Sequence, residues 1–149
     1  EASRRVREAL RTQFYRLYPD RIVLPEKAAT GSTAKIEHRW VNLGWAYCPT
    51  NIKPFKDRFR LGFGLLDPST GKPVYIFYDD AAKPCDWTYG TPKSYTFSPT
   101  LSGVKAGRYE WGVAILDMSR STPVPGIQIA AKREKTADGW VKLSEVTIE

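Results

Sequence analysis

The stretch RFRLGFGLL, residues 58–66, alternates from end to end. Phe59, Leu61, Phe63 and Leu65 fall on one side of an extended chain, and Arg58, Arg60, Gly62 and Gly64 on the other. A period of two belongs to a strand with one buried face, whereas a helical stripe repeats every 3.6 residues. GRYEWGVAILD, residues 107–117, repeats the pattern, with Tyr109, Trp111, Val113 and Ile115 inward. Its outward positions include Gly112 and Ala114, as small as Gly62 and Gly64, and Gln128 and Ala130 extend the row. Glycine inside a strand marks close approach of a ligand or of other protein. A neighbouring domain, the N-terminal helix or a ligand would each fit.

The same period recurs in KIEHRWVN (35–42), VYIFYD (74–79), KSYTFS (93–98), GIQIAAK (126–132) and WVKLSEVTI (140–148), with a short RIVL (21–24) before them. DPSTGKP (67–73) is turn chemistry. About eight strands with no helix between them predict an all-β antiparallel sandwich, immunoglobulin-like or jelly-roll. Residues 2–17 read differently. Ala2, Val6, Ala9, Leu10, Phe14 and Leu17 form a helical stripe that the prolines of the next segment end. The expected division is a helix or linker from an upstream domain over 1–18 and the sandwich over 19–149. The chain is accordingly read as a piece of a longer protein. An isolated helix of this length is marginal in water, so it docks on the sandwich or belongs to the neighbour.

The 149 residues carry a formal charge of +7. Residues 1–60 hold 13 Lys/Arg and 6 Asp/Glu, and the remainder is balanced. A nucleic-acid binder is expected to carry a basic stripe over its folded surface, so no nucleic-acid partner is expected. No apolar run is long enough for a membrane span. With two cysteines, no C-x-x-C and His38 as the one histidine, no metal centre of the Cys/His type is expected.

The stretch from Arg21 to Pro49, with Gly31, Trp40, Asn42, Gly44 and Ala46 in register, resembles the start of a β-sandwich module at the C-terminus of bacterial glycosidase-like proteins. Further points of likeness are the strand end and turn from Leu65 to Gly71, Trp87–Gly90, Gly107–Tyr109 and Asp138–Trp140. The likeness covers about residues 20–149. It implies a TIM-barrel-like domain upstream, whose last helix or linker is residues 1–18. One departure stands out: the usual Ala-Pro is replaced by Ala46-Tyr47-Cys48-Pro49.

Catalysis finds little support. His38 shares a face with Ile36 and Trp40, as a buried structural histidine does, and no nucleophile is spaced for a triad. The chain is therefore not expected to be an enzyme. Asp79, Asp80 and Asp86 are of the kind that holds Ca²⁺, although the spacing is not that of an EF-hand loop. No other cofactor is expected.

Trp45, Tyr47, Trp87 and Tyr89 stand in two loops, outside the strand alternation. Flat rings with a polar tip suit a sugar, whose C–H face stacks on them while Asp79, Asp80, Lys83 and Asp86 bond its hydroxyls. The competing reading makes the rings lids over the core, Trp87 foremost. Cys48 closes the first loop and Cys85 opens the second. A disulfide between them would pin the loops together with about 3–4 kcal/mol of stabilisation. Two buried free thiols are the alternative. The expected function is a non-catalytic carbohydrate-binding module of an extracellular or cell-surface bacterial glycan-degrading protein, with a polysaccharide or oligosaccharide as partner. The other candidate is a structural accessory domain that packs on the upstream domain and has no ligand of its own.

Overall fold

The computed structural model describes residues 14–149. Nine strands follow one another: β1 (Leu17–Val23), β2 (Lys27–Ala28), β3 (Ile36–Asn42), β4 (Phe59–Leu66), β5 (Pro73–Tyr78), β6 (Lys93–Phe97), β7 (Gly107–Asp117), β8 (Val124–Ile127) and β9 (Val141–Ile148). One sheet runs β1-β3-β6 and the other β2-β9-β7-β4-β5, with β8 beside the end of β7. All pairings are antiparallel except the two-residue contact of β2 with β9.

The alternation places the core. Ile36, His38 and Trp40 of the smaller sheet face Leu61, Phe63, Leu65, Trp111, Val113 and Ile115 of the larger one. Phe63 meets the His38 ring at 5.0 Å and Phe97 at 6.0 Å between centroids. Two sheets closing over one apolar layer make a β-sandwich.

The small outward residues are explained by the chain itself. β4 and β7 pair Gly62 with Ala114 and Gly64 with Gly112, making a shallow row on the outer face. Leu66, Leu116 and Trp140 lie in it and are fully buried, with Ile76, Tyr78 and Met118 around them. A β-carbon on Gly112 would come within 2.7 Å of Leu66 Cδ1, and one on Gly64 within 3.0 Å of the Trp140 ring. Leu66 is itself enclosed, so Gly112→Ala is expected to cost about 1–3 kcal/mol, read from denaturant midpoints.

Most strands keep within a residue or so of their expected bounds, and the larger differences lie at the start of the described chain and at the eighth strand. The expected helix falls largely on residues 1–13, which lie outside the described ones. Its last member, Leu17, is not helical: it opens β1, pairs with Asn42 and is buried. A single apolar residue serves a sheet as well as a helix, and pairing with Asn42 decided it. The first strand therefore runs Leu17–Val23 rather than the expected 21–24. The eighth strand is Val124–Ile127 rather than 126–132, because beyond Ile127 the chain leaves β7 and Ala130 N–H donates to Leu17 O across the sheets. No helix among the described residues is long and apolar enough to cross a membrane.

Candidate functional site

β3 ends at Asn42, and around that residue the two aromatic loops and the incoming chain converge. Asn42 is buried and uses all of its side-chain capacity. Its Oδ1 accepts from the backbone N–H groups of Arg16 and Gly44, both at 2.9 Å. Its Nδ2 donates to Ala46 O at 2.8 Å and to Trp87 O at 3.1 Å. Gly44 is obligatory here, since a β-carbon on it would lie 1.5 Å from Phe14 O. The run Trp40-x-Asn42-x-Gly44-x-Ala46 is thus a clamp. It holds loop 43–48 and loop 84–90 side by side.

That clamp replaces the expected disulfide. Cys48 and Cys85 are both free thiols. Cys48 is buried beside Tyr15, and the Cys85 thiol donates toward Asp86 Oδ1 at 3.8 Å. Burial, and after it the nearby Cys85, push the Cys48 thiol from 9.0 up to about 12; the Tyr15 bond opposes them. Between those values the unfolded chain has lost a proton that the folded chain keeps. Stability due to this thiol is therefore fully present below pH 9 and falls as pH rises toward 12. Denaturant midpoints stepped through this range should drop more steeply for the wild type than for Cys48→Ala.

The four loop aromatics separate by depth. Trp87 is fully buried and stacks on Trp40 at 4.4 Å with 8° between planes. Its Nε1–H donates to Tyr95 Oη at 2.9 Å. A ring enclosed in this way cannot take a ligand, which removes Trp87 from the candidate carbohydrate-binding set. Trp45 and Tyr89 are 67% and 50% exposed and stack on each other at 4.4 Å. Tyr47 is also exposed and meets no other ring among the described residues.

The polar candidates are divided too. Asp79 is buried, and its Oδ2 accepts from His38 Nε2 at 2.8 Å, so it is not a free surface carboxylate. Asp80 is exposed but held by both Arg60 nitrogens, Nε at 2.8 Å and Nη2 at 2.7 Å. Those bonds keep its carboxyl below the usual carboxylate range. Arg60 also lies 3.9 Å over the Tyr78 ring. These commitments leave little for Ca²⁺, and among the described residues no group of three or more His, Cys, Asp and Glu is arranged to hold a metal. Lys83 and Asp86 are exposed. Asp79, Asp80 and Lys83 do share a cleft of about 510 Å³ with Thr50, Asn51 and Lys56. The Trp45–Tyr89 stack stands outside its walls.

Neither residue type nor period marks Asn42 as the organising residue. The one signal was its place in the quoted Trp-x-Asn-x-Gly run. Nothing local marks the His38–Asp79 bond, since the two are 41 positions apart.

No protein-family model matches the chain, and no curated protein matches it. Among solved structures it is similar to a CARDB domain from Pyrococcus furiosus crystallised with di-metal ions. That match has 14% identity, 91% of this chain, 94% of that one and a TM-score of 0.47. A β-glucosidase from Listeria innocua in complex with glucose matches at 12% identity over 90% of this chain, with a TM-score of 0.43; the match spans 16% of the enzyme. A Niemann-Pick type C2 protein from the Japanese carpenter ant matches at 6% identity, over 93% of this chain and 95% of that one, with a TM-score of 0.45.

Proposed function

We propose that this chain is a non-catalytic accessory β-sandwich module that holds a glycan on the Trp45–Tyr89 stack, within an extracellular or cell-surface bacterial protein that degrades polysaccharide. The observation that carries the reading is the exposed stack on a fixed base. Two large rings left half to two-thirds in water forgo part of the roughly 1.5–3 kcal/mol that full burial would give each, while a second pair, Trp40–Trp87, is sealed in the core. Asn42 joins both loops, so the exposed rings are positioned before any ligand arrives. Such preorganisation lowers the entropic cost of binding. The strand order supports the immunoglobulin-like form over the jelly-roll. Without the two short strands β2 and β8, it is first-second-fifth against seventh-sixth-third-fourth.

A second reading has its own observation. Phe14, Tyr15, Leu43 and Ile52 are exposed at the end where the described chain begins, alongside Trp45 and Tyr89. An exposed apolar patch of this kind also suits a neighbouring domain. The two readings part on one experiment. The chain is run through native gels containing cellulose-, xylan- or mannan-derived polymers. Glycan binding predicts retardation that Trp45→Ala abolishes with the fold retained and only a small drop in melting temperature, and that added salt barely affects. No retardation by any polymer supports the scaffold reading instead.

A further inference from the structure

The His38 ring is held from both sides. Trp40 Nε1–H, which can only donate, lies 2.8 Å from His38 Nδ1, so that nitrogen is the bare one. The ring proton sits on Nε2 and is donated to Asp79 Oδ2 at 2.8 Å. Asp79 Oδ1 accepts from the Ala81 N–H at 3.2 Å. A carboxylate offers about four acceptor positions, and these bonds use two. Asp79 lines the cleft between loop 48–58 and loop 79–86, and 7% of its side chain remains open. Its unused capacity is therefore oriented by a chain of buried hydrogen bonds that starts at Trp40.

The rest of the cleft decides what donor would meet it. Lys56, Arg60 and Lys83 are balanced there by Asp57, Asp79 and Asp80, so the walls carry no net charge toward an ionic ligand. A sugar hydroxyl both donates and accepts. One hydroxyl can donate to Asp79 while it or its neighbour accepts from Lys83 or Lys56. A uronate carboxylate or a sulfate ester has no proton to give and would set a negative charge against Asp79. Resting on the glycan reading above, we infer that this cleft is a hydroxyl-reading subsite for a neutral glycan, with Asp79 the contacting acceptor and His38 and Trp40 its positioning residues.

The test is a titration of the chain, followed by NMR, with cellohexaose, xylohexaose, mannohexaose and a polygalacturonate oligomer. Saturation with a neutral hexaose is expected to shift the His38 Nε2–H resonance. Asp79→Asn, checked for its melting temperature, should weaken that hexaose roughly tenfold or more and narrow its preference over the uronate. Trp40→Phe, which strips His38 Nδ1 of its donor while Asp79 still accepts from Nε2–H, should move the Nδ1 resonance in the ¹⁵N spectrum and lower the neutral-over-uronate preference with it, a change that lost packing alone does not produce. An unmoved His38 resonance at saturation overturns the inference, even if Asp79→Asn fails to fold. So does a folded Asp79→Asn with unchanged affinity. If Trp45→Ala abolishes binding while His38 and Asp79 ignore the sugar, the stack is the site and the cleft is not. If Asp79→Asn weakens binding and Trp45→Ala does not, the cleft stands without the stack. No binding of any hexaose overturns both.

Discussion

Trp87→Ala is expected to lower the unfolding free energy by about 3–5 kcal/mol, the range for truncating a large aromatic in a core. The ring is enclosed, parallel to Trp40 at 4.4 Å, and its N–H has a partner in Tyr95. Removing it takes away the transfer energy of the indole and the stacking contact, and leaves a cavity at the closed end of the sandwich. The cavity cannot collapse freely, because Asn42 fixes the backbone at Trp87 O. Trp45→Ala, two-thirds exposed, should cost far less, mainly its contact with Tyr89. Urea unfolding of both variants compares them directly. Equal midpoints for the two would contradict the division into sealed and open rings.

His38→Phe is expected to destabilise by about 3 kcal/mol or more, although it keeps an aromatic of similar size. The ring packs against Phe63 and Tyr95, so a phenyl group preserves most of those contacts. It preserves neither hydrogen bond. The Trp40 N–H loses its acceptor, and the buried Asp79 carboxylate loses its donor at Oδ2 and keeps only the Ala81 N–H at Oδ1; each bond left unmade costs about 1–3 kcal/mol, more for the charged group. Asp79→Asn should be milder, since an amide oxygen still accepts from His38 Nε2. The ordering of denaturation midpoints, wild type above Asp79→Asn above His38→Phe, checks the account. A His38→Phe protein as stable as the wild type would show that the pair contributes packing alone.

The parts of this molecule that were legible in the sequence are those governed by period. Phe59, Leu61, Phe63 and Leu65 could be assigned to one face because strand geometry leaves no other arrangement, and β4 carries them inward. The outward glycines were visible, but what fills them was not. Trp140 reaches Gly64 from 76 positions away, and no local pattern encodes that approach. β2 has two residues and no period to read. Leu17 carries no local signal that separates a helix from a strand. The loops were hardest for the same reason. Trp45 and Trp87 are alike in composition and setting, and only tertiary packing makes one a surface and the other a plug. The cysteines gave the right neighbourhood for the wrong reason: the loops do adjoin, held by one asparagine side chain rather than by sulfur. Asp79 and Asp80 are adjacent in sequence, yet one turns to His38 and the other to Arg60.

The chain has five tryptophans, and their indole N–H signals report on the Trp45–Tyr89 stack in a single titration. A neutral oligosaccharide that retards the chain is added stepwise while the five signals are followed. A sugar seated on the exposed stack shifts the Trp45 signal and leaves those of Trp111 and Trp140, both buried away from this end, in place. A Trp45 signal that stays fixed at saturation, or a shift confined to Trp111 or Trp140, would contradict the stack as its seat.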